Sequence, residues 1–159
     1  KTGHSFIKAR LRESGAELAG EMSGHVFFND HWYGFDDGLY AAVRLLHILA
    51  HDERSATEIF GELPDTVNTP ELGLEMEEGE HYDLIGKLVA NAEFPGARIN
   101  DIDGLRVDFD HGFGLVRASN TTPKLVLRFE ADSQQNLEHI MGEFRKLIND
   151  TRPGLTLPF

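Results

Sequence analysis

Two short segments of this 159-residue sequence gather the side chains that an anion and a polyol would need. Arg117-Ala-Ser-Asn-Thr-Thr-Pro123 joins a guanidinium, three hydroxyls and a carboxamide at the end of one expected strand and the start of the next. A guanidinium offers a bidentate fork to two phosphate oxygens, and the hydroxyls of Ser119, Thr121 and Thr122 with successive backbone N–H groups can line a nest around the rest. The competing reading is a polar hairpin turn beside a surface arginine, because Ser, Asn and Thr are ordinary turn residues. Gly20-Glu-Met-Ser-Gly-His25 places a carboxylate, a hydroxyl and an imidazole within one glycine-flanked turn. A carboxylate accepts two hydroxyl protons and a serine both donates and accepts, so Glu21 and Ser23 can read a pair of sugar hydroxyls. His25, with its near-neutral ordinary pKa, is a candidate proton carrier. Here the competing reading is a tight turn in which the glutamate caps backbone groups. His4, in Thr2-Gly-His-Ser5, carries a weaker signal, since a histidine near a helix start is commonly an exposed neighbour of the cap.

Three other arrangements are set aside. Asp101-Ile-Asp-Gly-Leu-Arg106 looks like a carboxylate metal loop, but Asp103-Gly104 is a hairpin turn and Leu105 opens an alternating strand. His47 and His51 have the i, i+4 spacing of a zinc pair but lack a catalytic carboxylate between them and a third ligand. Trp32-Tyr33-Gly34-Phe35 could stack on a ligand, although aromatic packing beside a helix start is the commoner use.

The elements that must position these groups fall on either side of a hinge expected at about 64–70, where two prolines interrupt any periodicity. Before it, the spacing predicts a short helix over 5–13, strands over 16–21 and 26–28, a helix capped by Asp36 or Asp37 with Leu39, Ala42, Val43 and Leu46 on one face, and a second helix over 55–61. Two short strands are too few for a parallel sheet, so this part reads as the end of an α/β domain. After the hinge, a strand through Leu72, Leu74 and Met76, a helix over 84–92, strand candidates over 98–102, 105–109, 114–118 and 124–130, and a long helix capped by Ser133 describe an α+β unit. Its four- or five-stranded antiparallel sheet carries helices on one side.

Composition narrows the classes of function. A hydrophobic fraction of 40% and a charged fraction of 26% exclude a disordered polyelectrolyte, and the absence of cysteine excludes disulfide scaffolds, Cys-ligated zinc and thiol catalysis. A reducing, cytoplasmic setting fits. The longest apolar stretches are too short to span a bilayer and no signal peptide is visible, so no membrane partner is expected. A net charge of −12 opposes nucleic-acid binding, and any anion site must be local. Residues 52–93 hold 12 acids against Arg54 and Lys87, and the acidic run over 71–83 within them reads as a solvated face.

Four segments share one pattern: Lys1-Thr-Gly-His4, Gly20-Glu-Met-Ser-Gly-His-Val-Phe-Phe28, Gly34-Phe-Asp-Asp-Gly38 and Gly114-Leu-Val-Arg-Ala-Ser-Asn-Thr-Thr-Pro123. Through them the chain resembles the C-terminal part of the α-D-phosphohexomutases, in particular the bacterial phosphomannomutase/phosphoglucomutase group, along essentially its whole length. The resemblance implies that residues 1–64 are the C-terminal part of domain three of a four-domain enzyme, and 65–159 its domain four, of TATA-binding-protein-like fold. It implies a reversible phosphoryl shift between C1 and C6 of glucose or mannose phosphates, through a phosphoserine enzyme and a bisphosphorylated sugar. His4, Glu21, Ser23 and His25 are then expected at the sugar, and Arg117, Ser119, Asn120 and Thr121 at the non-reacting phosphate. Magnesium is expected as the cofactor, with its ligands and the nucleophilic serine in the remaining N-terminal domains, since neither motif occurs here. The absence of an initiator methionine at Lys1 agrees with a piece of a longer protein. A non-catalytic phosphate- or ligand-binding module of the same fold is the alternative.

Overall fold

A computed structural model describes all residues, 1–159, and divides them into two compact units, Lys1–Pro64 and Asp65–Phe159. The first unit starts with α1 (His4–Ser14), which follows Gly3 and ends on Gly15 in the left-handed region at φ 67°, a conformation glycine adopts without steric cost. Strands β1 (Leu18–Gly20) and β2 (Val26–Phe28) pair antiparallel, with Leu18 opposite Phe28 and Gly20 opposite Val26. Helix α2 (Gly38–His51) is capped by the Asp37 carboxylate, which accepts from the Tyr40 N–H. Helix α3 (Ala56–Phe60) begins with a capping box between Ser55 and Glu58.

Helix α2 is formed as its spacing predicts, but its apolar stripe is not buried. Leu39, Val43 and Leu46 are 83%, 59% and 63% exposed, and no residue of the helix is buried. The two-stranded ribbon beside it has little surface to offer, and only Leu11 and Phe27 of the unit's large apolar side chains are buried. Its aromatic residues pack on one another, as expected: Trp32 stacks on Tyr40 with ring centroids 4.3 Å apart and donates Nε1–H to Asp37.

In the second unit, β3 (Val67–Asn68), β4 (Leu72–Glu75), α4 (Glu80–Ala90), β5 (Arg98–Asn100), β6 (Leu105–Phe109), β7 (Gly112–Ala118), β8 (Lys124–Ala131) and α5 (Gln134–Thr151) follow one another. The antiparallel order is β3-β8-β7-β6-β5, with β4 also paired to β8. Six strands therefore replace the expected four or five. Strands β3 and β4 are two pieces of one edge: Thr69 still exchanges bonds with Phe129, its N–H donating to the carbonyl and its Oγ1 accepting from the N–H, after which Pro70 has no N–H to continue the ladder. The hinge thus contains a strand that its prolines concealed. Strand β5 stops short of Ile102 because the Ile102 N–H turns to the Asn100 side chain.

Alternate residues Leu105 and Val107 of β6, Val116 of β7, and Leu125, Leu127 and Phe129 of β8 point to one face and are fully buried. Leu84 and Leu88 of α4 and Leu137, Ile140, Phe144 and Ile148 of α5 cover that face. Gly114 leaves the room that the Phe144 ring occupies, since a Cβ there would lie 2.3 Å from it. On the opposite face Arg106 stacks on Phe113 at 3.8 Å and pairs with Asp108. Partial burial raises the pKa of Asp108, but Arg106 and Arg98 outweigh it and hold the carboxyl below its ordinary range.

Candidate functional site

In the first unit the turn between β1 and β2 is fixed by two backbone bonds, from Glu21 N–H to the His25 carbonyl and from Gly24 N–H to the Glu21 carbonyl, with Gly24 at φ 87°. Glu21 is half-buried and uses one oxygen, Oε1, to accept from the Gly3 N–H at 2.9 Å, which brings the 1–4 segment to the turn. Its other oxygen faces the Ser23 hydroxyl at 3.4 Å. Glu21 therefore organises backbone and still holds acceptor capacity, because each carboxylate oxygen has two lone pairs. Ser23, His25 and His4 are exposed.

Asp36, read from the sequence as a possible helix cap and as part of the Gly34-Phe-Asp-Asp-Gly38 segment, meets His25: Nδ1 lies 2.7 Å from Oδ2. A carboxylate can only accept, so Nδ1 carries the hydrogen in this bond and Nε2 is left for another partner. Asp37 performs the capping, and the Asp36-Asp37 doublet thus divides between orienting an imidazole and starting a helix. The doublet was the available signal; the strand-side position of Asp36, bridged to Phe27, decides which residue does which.

In the second unit β7 ends at Ala118 and β8 begins at Lys124, and the link between them is closed by the Ser119 N–H on the Lys124 carbonyl and the Lys124 N–H on the Thr122 carbonyl. Ser119 is buried, and its Oγ accepts from the Thr121 and Thr122 N–H groups at 3.3 Å each while lying 3.1 Å from the Thr122 hydroxyl. Its hydroxyl builds the turn. Asn120 and Thr121 are exposed at the tip. Arg117, half-buried at the end of β7, has no carboxylate partner and makes one long bond to the Ala118 carbonyl at 3.4 Å, so its fork is open to an anion. The loop offers a guanidinium, an amide and hydroxyls with no acid among residues 117–123.

Neither histidine pairing nor acid clustering yields a metal centre: no three His, Cys, Asp or Glu side chains are placed to hold an ion. The His47 and His51 rings lie 4.1 Å apart, tilted by 37°, with His51 Nδ1 on the His47 carbonyl. Asp103-Gly104 is the turn expected, where a Cβ on Gly104 would lie 2.4 Å from the Val116 carbonyl. No helix is long and apolar enough to cross a membrane.

An α/β unit with a two-stranded ribbon, followed by an antiparallel sheet covered by two helices, is the frame that carries these two turns. Residues 1–67 match the family model described as phosphoglucomutase/phosphomannomutase, alpha/beta/alpha domain III, and residues 74–147 match that of the C-terminal domain of the same family. The chain belongs to the phosphoglucomutase/phosphomannomutase family. It is 49% identical over its full length to a phosphomannomutase/phosphoglucomutase of Pseudomonas syringae and 53% identical over 99% of its length to a phosphoglucomutase of Neisseria meningitidis, spanning 34% of each. A crystal structure of a phosphoglucomutase/phosphomannomutase family protein from Burkholderia thailandensis superposes on all of the chain with a TM-score of 0.92 at 55% identity, the chain spanning 33% of it. The chain thus covers about a third of the length of these relatives.

Proposed function

We propose that this chain is the substrate-binding part of a phosphohexomutase that interconverts hexose 1-phosphate and hexose 6-phosphate through a phosphoserine enzyme and a bisphosphorylated sugar. Residues 1–64 are read as the C-terminal part of domain three and 65–159 as domain four. The exposed apolar stripe of α2 supports the first assignment, since a helix with that pattern suits a sheet larger than β1 and β2. Glu21 and Ser23 take sugar hydroxyls, with His4 and His25 at the same turn. His25, oriented by Asp36, holds or delivers a proton at Nε2. Arg117, Ser119, Asn120 and Thr121 take the oxygens of the non-reacting phosphate, with Ser119 also holding the loop in shape. The residues present do not fit magnesium, since no three His, Asp or Glu side chains converge; its ligands and the nucleophilic serine belong to other domains of the enzyme, in the cytoplasm.

The observation that carries this reading is the open guanidinium of Arg117 beside a loop already folded by Ser119. In the full-length enzyme Arg117→Ala removes a charge-assisted contact of about 1.5–3 kcal/mol, which lowers kcat/KM by about ten-fold or more. Wild-type kcat/KM in that variant, with unchanged folding, moves the phosphate site elsewhere.

A further inference from the structure

The loop of residues 119–122 is held from behind by the first turn of α4. Tyr82 donates its phenol O–H to the Ser119 carbonyl at 3.4 Å. His81 lies against Tyr82 with ring centroids 4.1 Å apart and planes 38° apart. These rings, Glu78 and the loop line an open polar pocket of about 100 Å³. His81 is 2% exposed and its Nδ1 has no hydrogen-bond partner, the only buried side-chain nitrogen or oxygen of the protein in that condition.

His81 continues the buried stripe of Leu84 and Leu88 by one turn, a position where leucine would pack without an unpaired polar atom. The imidazole stands where that stripe reaches the loop. The Tyr82 bond acts on one plane in particular. The Ser119 carbonyl and the Asn120 N–H belong to the same peptide unit, which is planar and trans, so the two groups point in opposite directions. Fixing the carbonyl on Tyr82 therefore aims the Asn120 N–H away from α4. That N–H makes no hydrogen bond within the chain.

We propose that His81 and Tyr82 are positioning residues of the phosphate loop: His81 holds the Tyr82 ring, Tyr82 holds the Ser119–Asn120 peptide plane, and the Asn120 backbone N–H so aimed donates to a phosphate oxygen. This rests on the reading of the loop as the phosphate site. It adds a backbone donor to that site and two residues that touch no substrate.

The test compares wild type, Tyr82→Phe, His81→Leu and Arg117→Ala in the full-length enzyme, measuring inhibition by inorganic phosphate, KM and kcat for hexose 1-phosphate, and the urea midpoint. Tyr82→Phe keeps the ring and loses only the hydroxyl; it should raise KM and the inhibition constant of phosphate about two- to ten-fold, with kcat within about two-fold and the midpoint unmoved. His81→Leu should weaken phosphate binding while raising the midpoint, because it removes the unpaired atom, and a merely structural role cannot give opposite signs. If Arg117→Ala weakens phosphate while Tyr82→Phe and His81→Leu leave it unchanged, the positioning role is overturned and the phosphate site stands. Affinity and midpoint falling together in both α4 variants also overturns it. If Arg117→Ala leaves phosphate binding unchanged as well, the underlying phosphate site falls and the inference with it.

Discussion

Gly114→Ala should destabilise the second unit more than its single added methyl suggests, and the reason lies in the crossing of α5 over β7. A Cβ built on Gly114 lies 2.3 Å from Phe144 Cε2 and 2.8 Å from both Cδ2 and Cζ, so the ring rather than a flexible chain end must give way. Phe144 is fully buried, with Phe129 and Phe94 at centroid distances of 5.3 and 5.4 Å, and it has nowhere to retreat. Overpacking of this kind costs about 1–3 kcal/mol. With a urea dependence near 1 kcal/mol/M for a unit of this size, the midpoint should fall by roughly 1–3 M. Gly73→Ala is the control, since the nearest atom to its new Cβ is Lys124 Cδ at 3.7 Å, an ordinary contact. Unfolding of the second unit is followed by hydrogen exchange at β7 and β8, and Trp32, the only tryptophan, reports the first unit separately and should not respond. An unchanged midpoint for Gly114→Ala, or equal losses in the two glycine variants, refutes the packing argument. A functional consequence accompanies it: β7 carries Arg117 three residues further on, so a displaced Gly114 also shifts the anion loop.

Arg117→Lys keeps the charge without the fork and should recover only part of the loss caused by alanine, read as kcat/KM of the full-length enzyme. If Glu21 and Ser23 hold the O3 and O4 hydroxyls, glucose and mannose 1-phosphates, which differ only at C2, should turn over comparably, while the galactose epimer should be rejected by up to ~10⁴-fold where the bound sugar covers these polar groups and leaves them without a partner; comparable use of galactose 1-phosphate in steady-state assays would defeat that assignment. Asp52, hydrogen-bonded by the Arg54 side chain and then by the Arg54 N–H, has its pKa lowered from 3.8 to about 2. A lowered folded-state pKa contributes stability that is present above 3.8 and lost as pH falls towards 2, so Asp52→Asn should flatten the acid limb of first-unit unfolding followed by Trp32 fluorescence, and an unaltered acid limb contradicts it.

Local chemistry was legible where a residue acts on its own neighbours. Ser133 caps α5, Gly15 stops α1, Asp103-Gly104 turns β5 into β6, and the 3.6-residue spacing of Leu137, Ile140, Phe144 and Ile148 locates the face that covers the sheet. Each depends on contacts within about one or two turns of chain, which periodicity and capping rules describe. What escaped depends on partners distant in sequence. Strand β3 exists because Val67 and Asn68 find Ala131 and Glu130, more than sixty residues away, whereas its own neighbours include prolines that argue for a loop. The stripe of α2 follows the same spacing as that of α5, yet one is exposed and the other buried, so the pattern states that a face is apolar and not what lies against it.

The candidate site divides along the same line. The residues proposed to touch a ligand were nominated from the sequence, because a phosphate or a sugar hydroxyl demands particular functional groups, those groups cluster in two short segments, and the family resemblance runs through both. The residues that aim them were not readable, because any side chain of suitable reach can do so from another element. Asp36 turns His25 from across the ribbon, Gly3 ties Glu21 through a backbone N–H that no residue type encodes, and Tyr82 reaches Ser119 from a helix 37 residues earlier. Orientation is then a property of the fold rather than of the motif: copying Arg117-Ala-Ser-Asn-Thr-Thr-Pro123 into another hairpin would transfer the guanidinium and the hydroxyls, but the Ser119–Asn120 peptide would keep its direction only if a phenol stood behind it.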